Sequence, residues 1–110
     1  MPVQFIYDDQ TLTALLSGEI DHHSAAFLRQ ILDESIAKFR PSKLILDFDA
    51  VSFMDSSAVG LVMGRYRCVD AYGGAIEVLN LTPKTLRMMR LSGLQSLAVL
   101  RGKVSGGKNE

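Results

Sequence analysis

The chain has 110 residues, a length typical of one domain that buries about two thirds of its unfolded surface on folding. Apolar residues make up 47% of the sequence and charged residues 22%, which excludes a disordered or a fibrous protein. The 12 basic and 12 acidic residues balance, so the surplus of positive charge expected of a nucleic-acid-binding protein is missing.

Cysteine usage and the N-terminus bear on the compartment. Cys68 is the only cysteine, which excludes an intrachain disulfide and a paired-cysteine metal motif and fits a reducing environment. The N-terminus lacks a basic segment followed by an apolar stretch, and no apolar run approaches the ~20 residues that span a membrane. These features predict a cytoplasmic protein that does not enter the membrane.

The first part of the chain predicts a hairpin and then a helix. Val3 to Tyr7 and Thr11 to Ser17 are β-prone runs on either side of a polar turn, and Gly18 is expected to end the second run. An amphipathic helix is predicted to follow Ser24 and to end at Arg40-Pro41, because proline cannot continue a helix. Its apolar positions are Leu28, Ile31, Leu32, Ile36 and Phe39.

Strands and helices alternate in the remainder. The apolar run Leu44 to Leu46 predicts a central strand covered on both faces, residues 47–55 a loop, and residues 56–72 a helix that Gly73-Gly74 stops. A strand is predicted at 75–81, a short helix with Thr82-Pro83 at its start, and a last strand at 97–100. The predicted buried stripe of the second helix is Val59, Val62, Met63, Tyr66 and Val69.

This order predicts the fold class and the domain limits. We expect an α/β sandwich: a mixed, mostly parallel β-sheet with an N-terminal β-hairpin and with helices packed on it. The domain is predicted to occupy residues 1–100. Residues 101–110 are polar and glycine-rich and are predicted to form a disordered tail.

The segment from Asp47 to Gly60 is the most unusual part of the sequence, because polar residues gather where a strand ends and a helix begins. Working sites of α/β sheets lie at the carboxyl ends of strands, and a helix N-terminus there offers free backbone N–H groups. Ser56 and Ser57 occupy that position. The simpler interpretation is that Asp55 or Ser56 only caps the helix.

Two features favour a functional role for this segment. Phe53 and Met54 are expected to hold the loop on the core, and Gly60 and Gly64 leave one side of the helix smooth enough for a partner to approach. A phosphate on Ser56 would add a charge of about −1.5 to −2 beside Asp55, which a docked partner would not tolerate.

The loop Asp21-His22-His23-Ser24 is predicted to lie near Ser56 if the hairpin is beside the Leu44 strand. Two adjacent histidines point in different directions and rarely chelate a metal unaided, so no metal site is predicted. A Ser-His-Asp hydrolase could be drawn from Ser56, either histidine and Asp21, but the GxSxG elbow is absent, as are nucleotide-binding phosphate loops. We therefore expect no enzyme activity and no cofactor.

Four segments together resemble the STAS family of anti-sigma factor antagonists, in particular its sporulation members. The resemblance covers nearly the whole chain before the tail, and the SFMDSS run is its most specific part. The segments are Gly18–Ala25 (GEIDHHSA), Val51–Ser57 (VSFMDSS), Gly64-Arg65-Tyr66 and Leu91–Leu94 (LSGL).

The resemblance implies a function and a set of site residues. The serine that directly follows the motif's aspartate is the family's phosphoacceptor, and that position is Ser56. The family's partner is an anti-sigma factor that is also a serine kinase: the unphosphorylated antagonist binds it and frees the sigma factor, phosphorylation reverses the binding, and a serine phosphatase resets the cycle. The partner-binding residues it implies are Asp21, His23, Asp55, Ser57, Ala58 and Val59, with Arg65 as a weaker candidate.

Ala58 departs from the family pattern, which usually has glycine after the two serines. The extra methyl group is expected near the docking face, where it would affect partner fit or phosphorylation rate. Within the family, the alternative to a sporulation antagonist is a general-stress antagonist or a scaffold module. Outside the family, the alternative is a small hydrolase or nucleotide-binding enzyme. A monomer that makes no direct contact with nucleic acid is expected.

Overall fold

The computed structural model describes residues 2–104. Capping and turn residues set the limits of its elements. Asp21 caps the first helix, Arg40 ends it in a left-handed conformation, and Thr82 caps the third helix with Pro83 at its first position. The elements are β1 (Val3–Asp8), β2 (Thr11–Ile20), α1 (His22–Phe39), β3 (Lys43–Met54), α2 (Ser57–Asp70), β4 (Ala75–Leu81), α3 (Pro83–Leu91), a 3-10 turn (Leu94–Ser96) and β5 (Val99–Gly102).

The strands form a five-stranded sheet in the order β1-β2-β3-β4-β5. β1 and β2 are antiparallel, and every other neighbouring pair is parallel because a helix crosses over between the strands. The predicted α/β fold, a mixed and mostly parallel sheet with an N-terminal hairpin, is confirmed.

The core lies between one face of the sheet and the helices. Along β2 and β3 every second residue is buried while the residues between are partly exposed, as expected when helices cover one face. Leu44 and Leu46 are fully buried but Ile45 is only half-buried, so the prediction of a strand covered on both faces is wrong. The helices contribute Leu28, Leu32, Ile36, Leu61, Val62, Val69 and Met89 to this core.

β2 and β3 are longer than the sequence predicted. Gly18 does not end β2, and residues 47–55 are mostly strand, because two register shifts and the positive φ of 83° at Gly18 let the parallel pairing continue. The last pair joins Ile20 to Met54. Because the β2–β3 pairing continues to this point, Asp21 and Asp55 lie at the same edge of the sheet.

The second helix is shorter than predicted, and its buried stripe is rotated. α2 begins at Ser57 and ends at Asp70, and Gly73 turns the chain with a φ of 88°. Val59, Met63 and Tyr66 are half-buried; the fully buried positions are Ala58, Leu61, Val62, Arg65 and Val69.

The C-terminal strand is displaced from its predicted position. Leu97 follows the 3-10 turn, and β5 extends through Arg101 and Gly102, which the sequence assigned to the tail. The backbone N–H of Lys103 donates to the Leu81 carbonyl at 2.7 Å and so extends the contact with β4. Residues 105–110 of the predicted tail lie outside the described residues.

Candidate functional site

The β2–β3 ladder brings the two polar segments together. The backbone N–H of Asp55 donates to the carbonyl of Ile20 at 3.2 Å, directly beyond the last residue pair of the ladder. Asp21 and Asp55 thus stand at the ends of adjacent parallel strands, each immediately before a helix. This is the neighbourhood that the topology predicted for the Asp21 loop and Ser56.

Asp55, and not the hydroxyl of Ser56, stabilises the start of α2. The carboxylate Oδ1 of Asp55 accepts a hydrogen bond from the backbone N–H of Ser57 at 2.8 Å. Ser56 is exposed and its side chain makes no capping hydrogen bond. Of the two predicted caps, the structure confirms Asp55 and excludes the Ser56 side chain, so the Ser56 hydroxyl is accessible for chemistry.

Asp21 has a structural task at the start of α1. Its Oδ1 accepts from the backbone N–H of Ser24 at 2.9 Å, and Ser24 Oγ accepts from the backbone N–H of Asp21 at 2.9 Å, which completes a capping box. The hydrogen bond from the Ser24 backbone lowers the pKa of Asp21 below its ordinary value. His22 and His23 beside it are both exposed, with ring centroids 6.2 Å apart.

The predicted partner-binding residues at the start of α2 differ in exposure. Ser57 and Val59 are half-buried, whereas Ala58 is fully buried. The methyl group of Ala58 therefore packs into the core, and the structure does not place it on the surface where it was predicted to meet a partner. Arg65 is also buried, with Nε 2.8 Å from Asp33 Oδ1, so its position is that of a structural ion pair.

The end of β3 carries an exposed aromatic ring next to the serines. Phe53 is 54% exposed, so the prediction that it holds the segment on the core is wrong; Met54 is half-buried. The alternation of side chains in a strand explains the difference, because neighbouring residues point to opposite faces. Sequence reasoning did not foresee the exposed apolar ring of Phe53 at this edge.

A groove between the N-terminal turns of α1 and α2 adjoins the serines. Its cavity volume is about 300 Å³. Two of its lining residues were predicted: Ser57 as a partner-binding residue and Gly60 on the smooth side of the helix. Sequence reasoning did not assign Ala26, Arg29 and Leu61, which also line the groove with His22.

Two general features were also tested on the described part of the chain. Within residues 2–104, no three His, Cys, Asp or Glu side chains are placed to hold a metal ion. No helix within that range is both long and apolar enough to cross a membrane.

Comparison with known proteins assigns the family. The STAS domain family model matches residues 6–105, and the chain belongs to that family. The fold and the juxtaposed Asp21 and Ser56 segments agree with this assignment.

The relatives are anti-sigma factor antagonists. An anti-sigma F factor antagonist of Paenibacillus polymyxa is 36% identical over 83 residues, which cover 76% of this chain and 71% of that protein. An anti-sigma-B factor antagonist of Bacillus subtilis is 30% identical over 84% of this chain and 83% of its own length.

Two solved structures of the antagonist SpoIIAA share the fold. Its unphosphorylated form superposes with a TM-score of 0.73 and 29% identity, covering 94% of this chain and 89% of that one. The phosphorylated form of the Bacillus protein superposes with a TM-score of 0.71 and 33% identity, covering 89% of each chain.

Proposed function

We propose that this chain is a phosphorylation-controlled antagonist of an anti-sigma factor, with Ser56 as the phosphoacceptor. The observation that carries the proposal is the exposed Ser56 hydroxyl, which the start of α2 leaves unused because Asp55 provides the cap. A residue needed for capping would be a poor kinase substrate, whereas this one can be modified without loss of a helix-stabilising bond. The solved structures of SpoIIAA in an unphosphorylated and a phosphorylated form support the proposal, because they show both states in a protein of similar fold.

The proposed docking surface is the edge around Ser56. It comprises Asp21, His23, Asp55, Ser57 and Val59, extended by the exposed ring of Phe53. An apolar ring surrounded by polar groups is a common arrangement of a protein interface. The partner is an anti-sigma factor with serine kinase activity, and a serine phosphatase restores the unphosphorylated form in the cytoplasm.

The switch follows from electrostatics. A phosphoryl group adds about −1.5 to −2 charge at neutral pH next to the carboxylates of Asp21 and Asp55. Like charges brought together in an interface cost several kcal/mol, and about 4 kcal/mol corresponds to a thousandfold change in affinity. The fold tolerates the charge because Ser56 is exposed at a helix N-terminus.

Sporulation control is the proposed physiological setting, and a general stress response is the second candidate. The anti-sigma F antagonists among the relatives support the first, and the 30% identical anti-sigma-B antagonist supports the second. Binding to the anti-sigma factor encoded beside this chain's own gene, compared with binding to a sporulation and a stress anti-sigma factor, separates the two.

A hydrolase built on Ser56 is the candidate from another class. Its mechanism needs a histidine hydrogen-bonded to the serine. Among residues 2–104, no hydrogen bond joins the Ser56 hydroxyl to His22 or His23. Ester or nucleotide hydrolysis that disappears in Ser56→Ala while partner binding persists would overturn the antagonist assignment.

The first experiment is intact-mass analysis and site mapping of the protein after incubation with ATP and its genomic-neighbour kinase. We expect one added phosphate in the wild type and in Ser57→Ala, and none in Ser56→Ala. A phosphate that survives in Ser56→Ala would place the acceptor elsewhere. A wild-type protein that is neither bound nor modified would refute the anti-sigma factor assignment.

Ser56→Asp tests the switch without the kinase. The added carboxylate is expected to weaken anti-sigma factor binding markedly in titration calorimetry, while the melting temperature changes by a few degrees at most. The matched control is Ser52→Asp, at another exposed serine outside the proposed surface. Unfolding of Ser56→Asp alone would show that the serine is structural.

A further inference from the structure

The groove between α1 and α2 is lined by small residues and has basic side chains at its margin. Ala26 and Gly60 face it with small side chains, and a Cβ added at Gly60 would meet no atom within 4 Å. The polar groups at its margin are the imidazole of His22 and the guanidinium of Arg29. The groove is therefore open, with hydrogen-bond donors on the α1 side.

Arg29 is not used by the fold. It is exposed, and none of the ion pairs or cation–π contacts within residues 2–104 includes it. The carboxylates of Asp21 and Asp55 each accept a backbone N–H at a helix start. An exposed guanidinium that lines a groove and has no ion-pair partner there is suited to bind an anion.

Ser56 directly precedes a residue that lines this groove. Its backbone is helical, with φ −62° and ψ −14°, so it continues the first turn of α2. The next residue, Ser57, lines the groove. Gly60 also lines it and lies four residues after Ser56, on the same side of the helix.

We propose that the groove is a phosphate subsite in which Arg29 and His22 bind the phosphoryl group of Ser56. The proposal rests on the proposed phosphorylation of Ser56 and adds the side chains that bind the phosphoryl group once it is attached. The planar guanidinium of Arg29 can donate two parallel hydrogen bonds to phosphate oxygens, and the His22 imidazole can donate one more. No bond is made or broken beyond the phosphorylation itself.

This subsite changes how the switch works. Besides repelling a partner, the phosphoryl group would occupy part of the groove and engage Arg29 within the same chain, so that this cation is not available for docking. The phosphorylated state would then be stabilised by an internal ion pair rather than only being disfavoured in the complex.

The test uses phosphoserine installed at position 56 during translation, so that it does not depend on any kinase. The measurement is the midpoint of the second phosphate ionisation, followed by ³¹P NMR. The ionisable groups that line the groove or belong to the segments before α1 and α2 are Glu19, Asp21, His22, His23, Arg29 and Asp55; any carboxylate close to the phosphate raises the midpoint and any cation lowers it. An Arg29 contact is the largest favourable contribution expected.

Arg29→Gln is expected to raise the phosphate midpoint by about 0.5 to 1 pH unit, a 3- to 10-fold change in the acid constant, and His22→Gln by less. The matched control is Arg67→Gln, an exposed arginine near the end of α2, which is expected to leave the midpoint unchanged. Equal midpoints in the wild type and Arg29→Gln, with both proteins folded by ¹H–¹⁵N correlation spectra, would overturn the subsite.

The outcome is separable from the proposed function. If the kinase never modifies Ser56 but the installed phosphoserine shows the Arg29-dependent shift, the subsite stands and the antagonist cycle fails. If the kinase modifies Ser56 and the shift is absent, the cycle stands and the subsite is refuted.

Discussion

The two ends of the α1–α2 helix pair are built differently. At the C-terminal end, Arg65 Nε lies 2.8 Å from Asp33 Oδ1, the Tyr72 hydroxyl donates to the Pro41 carbonyl at 2.7 Å, and the Arg40 guanidinium lies 4.4 Å from the centre of the Tyr72 ring. These contacts tie α2 both to α1 and to the segment after it.

At the N-terminal end, small side chains leave a groove of about 300 Å³ and no ion pair within residues 2–104 crosses it. The capping bonds there, at Asp21 and Asp55, each stay within their own helix start. The difference indicates that the helices are fixed at one end, so that the other can keep accessible groups around Ser56. Four substitutions test this contrast.

Asp33→Ala is expected to have the largest effect, a loss of about 3 kcal/mol in the free energy of unfolding. The side chain of Arg65 is 5% exposed, so its guanidinium would remain buried without its counter-charge. Urea denaturation measures the loss, and Glu34→Ala, at an exposed neighbour on the same helix, is the control and should change stability by less than about 0.5 kcal/mol. Equal effects of the two would show that the C-terminal end is not held by this pair.

Tyr72→Phe is expected to cost about 1 kcal/mol, because it removes the hydrogen bond to the Pro41 carbonyl. Burial raises the pKa of Tyr72 above its ordinary value of 10.0. A raised pKa in the folded state means that this contribution is present below pH 10 and is lost as the pH rises through the folded value. The difference in unfolding free energy between the wild type and the variant should therefore be smaller at pH 11 than at pH 8. An equal difference at the two pH values would contradict the assignment.

Gly60→Ala is expected to raise stability by about 0.5 to 1 kcal/mol, because alanine favours a helix and its methyl group meets no neighbour. The same change narrows the groove and should weaken partner binding. Gly64→Ala is the matched control, since its added methyl group is equally free but it does not line the groove. If both variants bind equally well, the groove is not part of the docking surface.

Asp21→Asn is expected to have the smallest effect at neutral pH, because asparagine also caps helices well. The lowered pKa of Asp21 means that its contribution is present above pH 3.8 and is lost as the pH falls through the folded value. The stability difference between wild type and variant should therefore shrink from pH 7 to pH 3. Asp70→Asn, at the far end of α2, is the comparison, and identical profiles for both variants would contradict the role of the cap.

Much of this architecture could be predicted because its signals are local. The β4 limits and the Thr82-Pro83 start of α3 depend on nearby residues, and the structure confirms them. The hairpin and the order of strands and helices follow from hydrophobic periodicity. The resemblance carried by the VSFMDSS run singled out Ser56, although its role as phosphoacceptor stays a prediction.

The sequence by itself determined the order of the elements and the helix start at Thr82, because capping and turn preferences act within a few residues. The first helix begins at His22 with Asp21 as its cap, earlier than the predicted start after Ser24. The tertiary structure alone decided the long β2–β3 ladder, the burial of Ala58 and Arg65, the exposure of Phe53, and the groove beside Arg29. Each of these depends on which residue lies opposite another from a distant part of the chain. Register and packing between elements set that placement, and no local pattern records it.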